Sequence, residues 1–241
     1  MNRLFKYELR RLLINKFFLG LLFITLLYSY YVLRGDIILG VANTAPFSGF
    51  SYGWFLSQIL PLLAVTMLFF VSFFFTGEEK RVQILVRTTP VDYTKYTLLR
   101  SLAIIVGFLI ISAAVVIISL VFYATIFRFT AFGAFLLPIV ITLIPAMLLV
   151  LGLGLVAGRL HSGTLYALML LLLILGQIPG FVDIFGGGFF QSYPSVVPLD
   201  ATGEPIFSIS ASFWVSRLVY ALVGIGLTGV GVSLMSKNKR I

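Results

Sequence analysis

The sequence predicts an all-α polytopic membrane protein with six transmembrane helices and both termini cytoplasmic, and three observations carry that reading. Of the 241 residues, 60% are hydrophobic and only 10% charged, with a mean hydropathy of +1.11. A soluble domain carries about 25% charged residues, so this chain lacks the means to build a water-facing shell. Six apolar segments meet the requirement of about 20 residues for a helix crossing ~30 Å of hydrocarbon. The basic residues, finally, gather on alternate connections. Together these exclude a soluble enzyme, a coiled coil, a disordered chain and a secreted disulfide scaffold. The absence of cysteine removes disulfides, thiolate chemistry and cysteine metal sites. The net charge of +9 would suggest nucleic acid in a soluble protein. Here its distribution points to membrane lipids instead, and no nucleic-acid partner is expected.

Residues 1–16 form the first element. On a helical wheel Leu4, Phe5, Leu9, Leu12 and Leu13 share one half, and Arg3, Lys6, Arg10 and Arg11 the other. That is the pattern of a basic amphipathic helix lying in the interface with its cations toward anionic headgroups. Glu8 falls inside the apolar arc, three residues before Arg11, where a local ion pair lowers its cost. The plainer alternative is a basic flank that only orients the first span. The first span, 17–33, is short, and Tyr28, Tyr30 and Tyr31 mark its far interface as an aromatic belt. It runs into Arg34-Gly35-Asp36 rather than a small-x-small site, so it is expected to stay as a membrane helix. A loop rich in Gly, Ser and aromatic residues, with Pro46, leads to the second span at 54–76.

A charged cytoplasmic segment, 77–101, precedes the third span at 102–127. The fourth, 132–157, contains Pro138 and Pro145, which should kink it, with neighbours satisfying the freed carbonyls. A tight turn at Arg159 and His161 separates it from the fifth span, 164–184, because the two together are too long for one crossing. A solvated or capping role is expected for His161. Residues 185–212, with Gly186-Gly187-Gly188 and Pro194, Pro198 and Pro205, read as an ordered or partly re-entrant external loop. The sixth span is 213–235. One transmembrane domain, 1–241, accounts for the chain, without an internal repeat or separate soluble domain.

Placing the N-terminus inside puts fourteen of the 17 basic residues in the cytoplasmic pieces 1–16, 77–101, 158–163 and 236–241, leaving Arg34, Arg128 and Arg217 outside. The opposite orientation would strand those fourteen on the wrong side.

Segment 77–101 says most about mechanism. It is dense in charge, yet Val82, Ile84, Leu85 and Val86 keep an apolar strip ahead of the Pro90 turn. A short helix offering that strip to a cytosolic partner has a use for it. A plain solvated loop with an incidental apolar run is the other reading. The acidic pair Glu78-Glu79, the apolar strip, Thr88-Thr89-Pro90-Val91-Asp92 and Arg100, ten residues past the proline, resemble the permease subunits of ABC-2 type transporters. Tyr7-Glu8-Leu9-Arg10-Arg11 is similar to that family's amphipathic elbow helix. The resemblance aligns Glu79 with the family's acidic position, Val86 with its late apolar position and Pro90 with its proline. Arg81-Val82 stands where Gly-Thr is common.

What the resemblance implies is a dimeric permease, homo- or heterodimeric, in the cell membrane. Each half would couple to a separate ABC ATP-binding subunit through Glu79, Val82, Ile84, Leu85, Val86, Arg87 and Pro90. ATP and Mg would be bound by that partner and no cofactor by this chain, which contains no Gly-x-x-x-x-Gly-Lys-Ser/Thr. The chain itself is thus expected to be no enzyme. Gln58, Thr66, Ser72 and Gln177 are the polar side chains at membrane depth that are candidates to face a substrate, although helix-to-helix hydrogen bonds are the commoner use of such residues.

Other signals carry little. Gly224-Ile225-Gly226-Leu227-Thr228-Gly229 matches the dinucleotide fingerprint letter for letter but lies inside an apolar span. There, and at Gly154-Leu155-Val156-Ala157-Gly158, small residues that let helices approach closely are the better account. An intramembrane hydrolase using Glu78-Glu79 would need further ligands from other spans, and the chain has one histidine. A secondary carrier, or a structural subunit of another membrane assembly, is the remaining alternative, with no chain of buried ionisable groups to favour the former.

Overall fold

A computed structural model describes residues 2–76, 93–177, 183–201 and 203–237. Its helices are α1 (Asn2–Leu13), α2 (Lys16–Val32, continued by a π turn Leu33–Ile37), α3 (Gly49–Ser72, continued by a 3-10 turn Phe73–Phe75), α4 (Tyr93–Ile126), α5 (Gly133–Leu160), α6 (Ser162–Gln177), α7 (Gly187–Ser192, continued by a 3-10 turn Tyr193–Ser195) and α8 (Ala211–Lys237). No strand occurs among the described residues; Leu199 and Pro205 form an isolated antiparallel bridge. Five helices are long and apolar enough to cross a membrane: Lys16–Ile37, Gly49–Phe75, Thr94–Ile126, Gly133–Leu160 and Ala211–Met235. The protein is thus an all-α, multi-pass membrane protein.

The local reasons for these elements are legible. Asn15 separates α1 from α2 by accepting the Phe17 amide at 3.0 Å, which caps α2. Ser48 caps α3 through the Ser51 amide at 3.1 Å. Its hydroxyl also donates to Thr44, whose own hydroxyl lies 2.9 Å from that of Ser51. His161 joins α5 to α6, and its Nδ1 accepts the Gly163 amide at 3.0 Å, as a capping histidine should. The first span runs past its expected end at residue 33, because Leu33 and Ile37, four residues apart, are both fully buried and pull the π turn through Arg34-Gly35-Asp36. Tyr30 and Tyr31 remain exposed on its outer face. Helix α5 passes without interruption through Pro138 and Pro145.

Helices α3 and α5 form the centre, with 61% and 67% of their apolar windows buried, whereas α8 buries only 22% and turns most of its surface outward. The most extensive helix pairing is nevertheless α5 with α8. Glycine explains how: a Cβ on Gly224 would run into the Leu148 and Leu149 backbone, and one on Gly231 into Leu155. The other side of α5 uses Gly154 against Leu68 and Val71 of α3, and Gly158 against Phe75. Gly154, Gly158 and, of the fingerprint-like glycines, Gly224 are therefore packing surfaces within one chain. Gly226 and Gly229, by contrast, have open space around them.

Of the fifth expected span, 164–184, the described helix is α6, Ser162–Gln177, and residues 178–182 lie outside the described residues. Gly176 of α6 rests on Pro61, midway along α3. Above it, α7 lies against the first turns of α3, where Gly53 leaves room for the Phe190 ring and Gly187 sits beside Trp54 and Ser57. The 185–212 loop is therefore ordered where it meets the bundle, and it dips below the level at which α3 begins.

Candidate functional site

Among the described residues, two places in this apolar bundle concentrate charge, one near each end. The first lies where α1 crosses α4 beside the end of α3. Glu8, from the apolar arc of α1, is buried and pairs with Arg100 of α4, Oε2 to Nε at 3.4 Å, with side-chain exposures of 10% and 6%. The Arg100 guanidinium covers the Phe74 ring at 4.2 Å and approaches Tyr96 at 5.4 Å. Lys6, Arg10 and Arg11 are exposed, while Leu12 is buried and fills the space beside Gly107 of α4. The helix therefore has the two-faced character its wheel predicts, and its acidic residue also reaches another helix. Next to the pair opens a cleft of about 700 Å³. It is lined by the apolar Leu12, Phe70, Phe73, Phe74, Ala103 and Ile104 together with Glu8, Arg11, Asn15, Thr76 and Arg100.

The second place is Arg217, six residues into α8 and 2% exposed. Its Nη2 donates to the Asp183 carbonyl at 2.7 Å and its Nη1 to the Ile184 carbonyl. Nη2 also lies 4.0 Å from the Asp183 carboxylate. That carboxylate accepts the Gly188 and Phe189 amides at 3.2 and 2.9 Å, capping α7. The guanidinium stacks on Phe213 at 4.3 Å, and Phe213 stacks on Phe189 at 3.9 Å between centroids. Gly186 starts α7 at φ +91° and leaves the space that Arg217 occupies. One cation thereby ties the loop 183–195 to α8. Its side chain is packed inside the bundle, a placement on which the charge count is silent. An arginine within an apolar window is costly unless it is satisfied, and that cost was the available signal.

Three of the substrate-facing candidates, Gln58, Thr66 and Ser72, lie on α3. Thr66 and Ser72 are buried in α3, and their hydroxyls donate to the Leu62 and Phe69 carbonyls one turn back, at 2.9 and 2.7 Å. Gln58 is half-buried on the same helix. A different polar group gathers near the far end: the Tyr52 hydroxyl lies 3.0 Å from that of Ser119, and the Tyr52 ring stacks on Phe135 at 4.1 Å beside Tyr123. Glu79, Val82, Ile84, Leu85, Val86, Arg87 and Pro90 lie outside the described residues, as do the side chains of Arg3 and Gln177.

No protein family, characterised protein or solved structure matches this chain.

Proposed function

We propose that the chain is the transmembrane permease subunit of an ATP-driven exporter of the ABC-2 type. It would work as a dimer in the cell membrane, with both termini cytoplasmic and a separate ATP-binding subunit supplying nucleotide and Mg. The observation that supports this best is the setting of the 77–92 connection. The chain enters it from Thr76 and leaves it at Tyr93, and the described residues flanking it are tied to α1 through Arg100 and Glu8. An interfacial helix clamped to the first turns of the following span is a lever. Force applied to the connection would reach α1, α3 and α4 together. The motif residues around Pro90 sit in that connection, with Arg100 on the buried pair.

The test is removal of the apolar strip. Leu85 and Val86 lie outside the expected spans, so changing both to Asp should leave expression and membrane insertion intact. Burial of each side chain against a partner contributes about 1–2 kcal/mol, and two desolvated carboxylates would reverse that gain. The double variant should lose recovery of an ATP-binding subunit in mild detergent, together with the ATPase activity of the purified assembly. Undiminished co-purification, or a wild-type chain isolated from native membranes with no ATPase, would overturn the reading.

A further inference from the structure

We propose that the loop 196–206 is a membrane anchor, which lays Val196, Leu199 and Ile206 into the lipid interface at the end of the bundle where α3 and α8 begin. The inference rests on the multi-pass fold and not on the transport reading. These three side chains are 77, 63 and 51% exposed, although they belong to none of the spanning helices. Their neighbours show that an apolar core lay within reach: Val197, Phe207 and Ile209 pack on the aromatic cluster of Phe50, Phe190 and Phe213. Just before the loop, α7 and its 3-10 turn leave Gln191, Ser192 and Ser195 exposed. The outward surface thus changes from polar to apolar at Val196, and grouped apolar exposure marks a surface that something covers.

Depth identifies what covers it. The Phe207 ring lies against Gly49, where a Cβ would fall 2.6 Å from it, and meets the Phe50 ring at 4.9 Å. Gly49 opens a helix long and apolar enough to cross a membrane. Ile206 adjoins Phe207, and Leu199 is bridged to Pro205, so both sit level with the start of that span. Past Ile209 the chain enters α8, where the exposed Trp214, Val215 and Leu218 open the outward side of another span. The loop therefore leads into a lipid-facing surface at the same depth, with a tryptophan at the boundary. Its backbone also suits an interface, where unpaired amides are costly. The amides of Asp200, Gly203 and Ile206 donate to the carbonyls of Glu204, Asp200 and Pro198 at 2.8, 3.0 and 3.2 Å. The Glu204 amide donates to Asp200 Oδ1 at 3.1 Å, and Pro198 and Pro205 have no amide to satisfy. The two carboxylates of this turn limit insertion to the interface and keep the loop out of the hydrocarbon.

The test uses the full chain, which has no cysteine of its own, in phosphatidylcholine vesicles. Single cysteines replacing Val196, Leu199 or Ile206 would carry an environment-sensitive fluorophore, with Gln191→Cys as the control on the polar side of α7. At the three loop positions emission should lie at shorter wavelength than at Gln191→Cys. A nitroxide on the lipid chain near the glycerol should quench these probes more than one near the chain end. Aqueous iodide should quench them less than it quenches the control. Leu199→Asp with Ile206→Asp, placed in the Val196→Cys chain, should keep the helix content by circular dichroism and move the probe at 196 to the iodide-quenched state of the control. Lipid quenching at the loop no stronger than at Gln191→Cys would overturn the anchor. So would probes shielded from both quenchers until the chains are diluted in lipid, the signature of a second copy on this face. Unchanged lipid quenching in the double-aspartate chain would overturn it as well, because the apolar side chains would then not be what holds the loop.

Discussion

Arg217 is the residue whose environment departs furthest from what its chemistry prefers. It is nearly inaccessible, and among the described residues two backbone carbonyls, a carboxylate at 4.0 Å and the Phe213 ring answer its charge, while its Nε has no partner there. Lysine cannot reproduce a planar fork that meets two carbonyls while stacking on an aromatic ring. Arg217→Lys should therefore cost roughly 1–3 kcal/mol, seen as a lowered unfolding midpoint in detergent. Limited proteolysis should cut within 183–195 sooner than in the wild type; unchanged cleavage there would show that the arginine does not hold the loop. Glu8 and Arg100 call for a cycle rather than single changes. Glu8→Leu alone leaves a buried cation short of its carboxylate and should cost about 3 kcal/mol or more, whereas adding Arg100→Met should recover much of that loss. Additive losses in the double variant would mean that the two charges are not coupled.

At the scale of elements, glycine position decides which helices approach. Gly224 and Gly226 belong to the same motif and differ by two residues, so they face different ways on α8. A methyl group at Gly224 would meet the backbone of α5, which cannot yield, whereas one at Gly226 meets open space. Gly224→Ala should thus lower the unfolding midpoint markedly. Gly226→Ala should be neutral or slightly stabilising, as alanine favours helix by up to about 1 kcal/mol. A common effect at both positions would mean that the α5–α8 crossing is not set by close backbone approach. Helix α6 owes its position to a similar device, Gly176 against Pro61 of α3. The first span shows why element boundaries are harder to read: it runs on through Arg34-Gly35-Asp36 because Leu33 and Ile37 are both buried, a contact that local hydropathy does not contain.

For the whole molecule, the orientation proposed from its charges is open to direct measurement. Single cysteines replacing Arg87 and Lys239 in this cysteine-free chain should resist an impermeant thiol reagent added to intact cells, and one replacing Ser195 should react. Labelling of Arg87→Cys from outside would overturn the orientation and, with it, the partner proposed for the 77–92 connection.

The sequence by itself determined the class of the protein, because solvent preference is a summed property: 60% hydrophobic residues and 10% charged leave no soluble alternative. It also determined where the helices lie and the two-faced character of α1, since both follow from runs and spacings along one strand of text. The partners of the buried charges were decided only by tertiary structure. Glu8 meets Arg100 from a helix far along the chain, a pair that local spacing does not contain. Arg217 is enclosed by carbonyls from residues 33 and 34 positions earlier, which no local spacing announces. Local spacing specifies which face of a helix is polar. It does not specify which distant backbone will come close enough to satisfy a charge on that face, because that depends on how the helices cross.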